Sequence, residues 1–366
     1  MNDVESLFFY LFSFALSAAL FHIGQKTNRK VFTVFAILIP TIIGGLRNEV
    51  GVDYVSYKSK LISAQTTDMA SFSAHYGGME PALWLFGQLP WEIFFYATSF
   101  LTILFFYLGF KRFNTKHIGL CMLLVLLVIF PQALGGVRQG VAMSICFFAF
   151  SFVPERRIEP FIISILFAAL FHYSSLIMLA LYPLYIIMVE RPESDKKFVT
   201  KLIVTATALV ALIVIGFQII EYIPLLGKYA LYTTDEFTEQ YGVYTASHNI
   251  LPEIASLALI TMFYGHLVGH KNKTGRFMML GIVFMFVITL VGFVVPLASR
   301  LADYFIAFFI LTFAASIDTF EDARSRRIMA AAMIAYAVLF FFTGIYLNGS
   351  GEIFPYRTVF ELAATV

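Results

Sequence analysis

Charge is what this chain has least of: Asp, Glu, Lys and Arg make up 13% of its 366 residues, about half the share in an ordinary soluble domain. With 60% hydrophobic residues and a mean hydropathy of +0.82, that shortage excludes a soluble globular domain and implies a polytopic membrane protein. Cysteine is nearly absent. Cys121 and Cys146 both lie inside apolar runs, so they read as small buried hydrophobes and support neither a disulfide framework nor a metal site. No HExxH, Cys/His cluster or DxD-type acidic pair is present, so no metal is expected. G-x-S-x-G and Walker-type loops are also missing. Nothing indicates an organic cofactor or nucleic acid, and no acidic residue lies deep in an apolar run, which argues against ion-coupled transport.

What the chain does have is apolar runs along its whole length. Candidate spans are 6 to 24, 31 to 46, 91 to 110, 118 to 134, 138 to 153, 199 to 220, 250 to 269, 277 to 296, 300 to 317 and 328 to 347, each near the length a bilayer requires. The N-terminal run reads as a retained helix rather than a removed signal, because the apolar pattern continues far past it. The stretch 158 to 189 is long for one pass, and His172-Tyr173-Ser174-Ser175 interrupts it. It is either one tilted helix or a short helical hairpin.

Basic residues choose between these. With a hairpin, the clusters Lys26/Arg29/Lys30, Lys111/Arg112/Lys116, Arg156/Arg157, Arg191/Lys196/Lys197/Lys201, Lys271/Lys273/Arg276 and Arg324/Arg326/Arg327 fall on one side, 18 of the 25 Lys and Arg. With a single helix the split becomes 11 against 14 of the 25, and the positive-inside bias vanishes. The expected fold is therefore all-α, with about 12 transmembrane helices (10 to 12) in a single integral membrane domain over 1–366, both termini outside. Two loops, 47–90 and 221–249, face the outer side. Their aromatic and polar residues suit sugar handling and equally suit anchoring at the membrane interface.

Three arginines end up on that outer side: Arg47 after Gly44-Gly45, Arg138 after Gly135-Gly136, and Arg300 after Pro296. Each could snorkel to the interface or donate paired hydrogen bonds to a phosphate, with the glycines letting a headgroup reach the backbone. Asp53, beside Tyr54 and Tyr57, could pair with Arg47 or take a proton from a hydroxyl. Glu80 carries the same two readings. His172, with Ser174 next to it, is either a proton acceptor or a hydrogen-bond brace. Arg300, Asp303 and Tyr304 share a helical face, so Asp303 either neutralises Arg300 or holds it in place. Gln139 and His248 complete the candidate set.

The run Gly44-Gly45-Leu46-Arg47-Asn48-Glu49-Val50-Gly51-Val52-Asp53-Tyr54-Val55-Ser56-Tyr57 resembles the first motif of the EpsG family of Wzy-like polysaccharide polymerases. Glu80, Gly136-Val137-Arg138-Gln139-Gly140, Ala168 to Ser175 and Ser299 to Tyr304 resemble further family motifs in the same order. One departure is Gly140, where the family pattern doubles the glutamine. The resemblance implies a GT-C-like glycosyltransferase in a bacterial inner membrane, with its active site facing the periplasm. It would join undecaprenyl-diphosphate-linked oligosaccharide repeats by metal-independent, inverting glycosyl transfer, in exopolysaccharide or lipopolysaccharide O-antigen synthesis. On this likeness Arg47, Arg138 and Arg300 hold the diphosphate, and Asp53, Glu80 or His172 serves the acceptor. Tyr54, Tyr57, Gln139, Ser174, Asp303, Tyr304 and His248 contact sugar or give support. The partners implied are the lipid-linked oligosaccharides, membrane lipid and a chain-length regulator protein. The alternatives weighed are a flippase of lipid-linked oligosaccharide and a membrane glycan acyltransferase.

Overall fold

A backbone in hydrocarbon has no water to bond with, so an apolar run of this length satisfies its amides internally and folds as helix. The computed structural model describes residues 1–76, 81–190, 194–219, 250–269, 272–293 and 295–360. Its helices are α1 (Asp3–Thr27), α2 (Lys30–Leu46), α3 (Tyr54–Ala64), α4 (Met69–His75), α5 (Pro81–Gly87), α6 (Trp91–Arg112), α7 (Ile118–Gly135), α8 (Val137–Phe150), α9 (Ile158–Ala169), α10 (Tyr173–Glu190), α11 (Asp195–Ile219), α12 (Ile250–Met262), α13 (Lys273–Gly292), α14 (Ala298–Ile317) and α15 (Ala323–Leu347). Among the described residues there is no strand, and eight of these helices are long and apolar enough to cross a membrane. Shorter apolar helices are α2, α8 and α9. The chain is thus a polytopic helical membrane protein.

The helices fall into two compact units, one holding residues 1–152, 159–178 and those from 323 onward, the other residues 153–158 and 179–322. In the first, α2 packs on α1 and α6, and α6 packs on α8. Close approach is built from small residues. A Cβ on Gly44 would lie 2.0 Å from Ser99 Oγ, and one on Gly45 would lie 2.1 Å from the Tyr96 ring. Ser17 Oγ also donates to the Ala36 carbonyl at 2.7 Å, tying α1 to α2. The π-helical turn Val125–Ile129 inside α7 runs up to Pro131. Proline offers no amide to the ladder there, which favours the wider turn.

The first unit has two distinct ends. At one, Gln25 bridges to the α6–α7 connection, donating to the Thr115 carbonyl at 2.8 Å and accepting from the Ile118 amide at 3.0 Å. There too Arg112 Nε donates to Ser151 Oγ at 2.9 Å. At the other end, Asn2 and Glu5 close a capping box on α1, and the segment after α15 crosses over. The Tyr356 amide donates to Ser6 Oγ at 2.9 Å, and its hydroxyl donates to the Ile43 carbonyl at 2.9 Å. The first and last described segments therefore meet at one end of the first unit.

In the second unit, Arg156 Nε lies 2.8 Å from Glu190 Oε2. The two ends of the 158–189 stretch thus lie together, and between them the helix breaks at Leu170–His172. The stretch is therefore two helices, α9 and α10, rather than one straight helix. Lys273 reaches the same Glu190 at 3.8 Å, and Arg276, fully buried, holds Asp195 at 2.6 Å with its guanidinium 4.8 Å from the Phe198 ring. Three basic connections expected on one side of the membrane are thus drawn together. Deeper in the unit, Phe277 packs edge-on between Tyr185 and Phe308, joining α10, α13 and α14.

Candidate functional site

The site in the first unit starts from a backbone turn. After Leu46 the chain leaves α2, and Gly51, at φ +98°, bends it back toward α7 in a conformation that L side chains seldom adopt. A Cβ there would lie 2.6 Å from the Leu134 carbonyl and 2.8 Å from Arg47 Nη1. The turn thereby folds Arg47 inward, to 1% exposure. Its Nη1 donates to the Val50 carbonyl at 3.0 Å and to the Leu134 carbonyl. Its guanidinium carbon lies 4.9 Å from the Phe95 ring and 5.6 Å from the Tyr54 ring, which are themselves stacked at 4.5 Å. Burial pulls the Arg47 pKa down to about 10, which leaves it cationic at neutral pH. Nε of Arg47 and the hydroxyl of Tyr54 have no hydrogen-bond partner among the described residues.

Helix α3 connects the two arginines that share a signature. Tyr54 and Tyr57 are three residues apart and hence on one face, and both are buried. Arg47 sits against the first. Arg138 sits against the second, its Nε donating to the Tyr57 hydroxyl at 3.3 Å and its guanidinium carbon 5.6 Å from the ring. Each ring face adds roughly 0.5–2 kcal/mol of cation–π attraction, depending on desolvation. Arg138 is half-buried and so stays accessible. Its position is the first turn of α8, just past the break at Gly136, whereas Arg47 follows the C-terminal end of α2.

The glycine pairs differ from the sequence-based expectation. Gly44 and Gly45 are occupied by packing against α6 and leave no room for a headgroup at the backbone; at Gly135 and Gly136 a Cβ would meet only ordinary contacts, 3.5 Å from the Val52 amide nitrogen and 3.9 Å from the Gln132 carbonyl. Gly140 has its own reason. A Cβ there would lie 2.5 Å from Ala133 Cβ, so the tight α7–α8 turn has no space for the second glutamine of the family pattern. Gln139 next to it is half-buried.

His172 is half-buried at the α9–α10 break, its amide donating to the Ala168 carbonyl at 3.0 Å and its carbonyl accepting from Ser175 at 3.1 Å. The break is docked onto α5, since the Ala82 amide donates to the Leu170 carbonyl at 3.1 Å. Phe171 then packs on Phe86, Phe86 on Phe94, and Phe94 on Tyr57. Three ring contacts therefore lead from Phe171, the residue before the histidine, to the Arg138 platform. Ser174 is half-buried nearby, and Asp53 is exposed at the start of α3. No ion pair joins Asp53 to Arg47 among the described residues.

Arg300, Asp303 and Tyr304 belong to the second unit, where α14 tightens into a 3₁₀ turn at Asp303–Phe305. Arg300 is exposed and Tyr304 is buried. Glu80 and His248 lie outside the described residues. The sequence reading missed Phe94 and Phe95, the Leu134 carbonyl and the whole segment 349–359, whose Thr358 pairs with Arg47 in an isolated antiparallel bridge. None of these carries a motif of its own; the one available signal was Tyr356 and Arg357 following Pro355 after the last apolar run.

A helical bundle that buries arginines on tyrosine faces at one end defines a polytopic membrane protein with a built cationic site. The EpsG family model matches residues 30–358, and the chain belongs to that family, one of Wzy-like polysaccharide polymerases. Neither a curated protein nor a solved structure matches it.

Proposed function

We propose that the chain polymerises undecaprenyl-diphosphate-linked oligosaccharide repeats at the periplasmic face of a bacterial inner membrane, on a GT-C-like framework of about twelve crossings. The acceptor hydroxyl attacks the anomeric carbon of the donor chain, the bond from that carbon to the phosphate oxygen breaks with inversion, and undecaprenyl diphosphate leaves. The hydroxyl proton passes to His172, Asp53 or Glu80. Arg138 donates to the leaving diphosphate, Arg47 adds fixed positive charge behind it, and Arg300 supplies a third cation. Tyr57 holds Arg138, while Tyr54, Gln139, Ser174, Asp303, Tyr304 and His248 support the sugars or the arginines. A chain-length regulator is the protein partner.

The observation that carries this reading is the pair of like-signature arginines set on neighbouring tyrosines of one helix, in a chain of a polymerase family. A buried cation costs several kcal/mol unless compensated, and retaining Arg47 sealed in this way beside the half-open Arg138 platform is economical when an anion is to be bound. The test is to incubate purified protein with synthetic undecaprenyl-diphosphate-linked repeats, without added metal, beside Arg138→Ala and Arg138→Lys. Wild type should yield a ladder of longer glycans. Alanine should slow it roughly 10²–10³-fold, the scale of losing one transition-state donor, and lysine should recover part, lacking the paired donors. Binding of the lipid-linked unit with no ladder from wild type would favour the flippase; unchanged rate in Arg138→Ala would remove the arginine's role.

A further inference from the structure

We propose that a cavity where the segment after α15 meets the Arg47 turn binds neutral sugar residues of the glycan. The cavity measures about 340 Å³ and is lined by Glu49, Gly349, Glu352, Phe354, Pro355 and Arg357 among others, within the range of small-ligand sites. Its walls are fastened together. The Asn48 amide donates to the Arg357 carbonyl and the Gly51 amide to the Glu352 carbonyl, each at 2.9 Å, and the Val359 amide donates to the Leu46 carbonyl at 3.0 Å. Phe354 is fixed by edge-on packing with Tyr10, Phe341 and Tyr346.

Two facts point to a ligand. Glu49 and Glu352 adopt left-handed backbone, at φ +54° and +50°, a conformation costing roughly 1–3 kcal/mol for a non-glycine residue. Glycine occupies the neighbouring left-handed positions 51, 349 and 351, so carboxylates stand here where glycine would be cheaper. The lining is also charge-unbalanced: two carboxylates face one guanidinium. That repels a diphosphate and suits a polyhydroxyl ligand, with carboxylates accepting hydroxyl protons, Arg357 donating and Phe354 offering an apolar edge. The Arg357–Glu49 pair, at 3.9 Å with both side chains more than half exposed, is held by no more than about 1 kcal/mol and yields readily to a hydroxyl. Glu49 is two residues from Arg47, so this deepens the polymerase reading, on which it rests: sugars adjoining the reacting one would lie here while the diphosphate lies at the arginines.

The experiment titrates purified wild type, Glu49→Gln/Glu352→Gln and Arg357→Gln with the repeat-unit oligosaccharide freed from its lipid by mild acid, and with inorganic pyrophosphate as competitor. The oligosaccharide should bind wild type and bind both variants at least tenfold more weakly, with pyrophosphate failing to displace it and melting temperatures unchanged. In the ladder assay the same variants should raise KM at least tenfold with kcat within about twofold. Equal binding by wild type and variants, no binding by wild type, or displacement by pyrophosphate would overturn the proposal. Oligosaccharide binding that weakens in the variants, in a wild type that makes no polymer, would retain the cavity and refute the polymerase reading. A normal ladder with unaffected variants would refute the cavity alone.

Discussion

At the scale of single residues, the site is held by backbone geometry more than by charge pairing. Arg47 reaches the Leu134 carbonyl because Gly51 lets the turn close over it, with no space for a methyl group between them. Gly51→Ala should therefore cost about 1–3 kcal/mol from backbone strain, more with the clash against the Leu134 carbonyl, and should reduce activity by displacing Arg47. A melting curve and the ladder assay on the same preparation check both, and an unchanged melting temperature would mean the turn is not strained. Residue identities at this scale were partly legible in sequence. Arg47, Arg138, Tyr54 and Tyr57 stood out as types in a pattern, but their pairing did not, because Arg138 and Tyr57 are 81 residues apart. The meaning of Gly44-Gly45 was misread for the same reason: whether a missing Cβ serves a ligand or a neighbouring helix depends on what packs there.

At the scale of elements, existence and type followed from local pattern, and the breaks followed from local chemistry such as Pro131 behind a π-helical turn. The interruption of the 158–189 stretch was legible at His172-Tyr173-Ser174-Ser175, and one salt bridge, Arg156 to Glu190, brings its ends together. The α11–α13 connection is locked by a stronger pair. Arg276 is fully buried while Asp195 is 46% exposed, so Asp195→Ala would take its carboxylate partner from a desolvated cation. The loss should approach 3 kcal/mol, the lower end of the range for broken buried pairs, since water reaches the aspartate side. Chemical or thermal unfolding in detergent measures it; a loss under about 0.5 kcal/mol would show the pair to be incidental.

For the whole molecule, orientation is the property that can be tested most directly. Val52, exposed beside the Arg47 turn, and Lys116, exposed in the α6–α7 connection, occupy opposite ends of the first unit. The two native cysteines are buried and give little background. In intact cells with a permeabilised outer envelope, Val52→Cys should react with a membrane-impermeant maleimide, while Lys116→Cys should react after lysis only. Labelling of both, or the reverse order, would overturn the orientation drawn from the basic loops.

Hydropathy and the distribution of Lys and Arg are properties of the chain taken residue by residue, and hydropathy determined that this is a helical membrane protein and roughly where its apolar helices lie. The motifs around Arg47, Glu80, Arg138, His172 and Arg300, read in order, indicated its family. Only the tertiary structure decided which guanidinium is sealed and which is half open, that Gly140 is required by Ala133, and that residues 349–359 complete the Arg47 turn. Tyr356 meets Ser6 and Ile43 from 350 and 313 positions away. Contacts at such separations are set by helix packing, which leaves no local trace in the residues that make them.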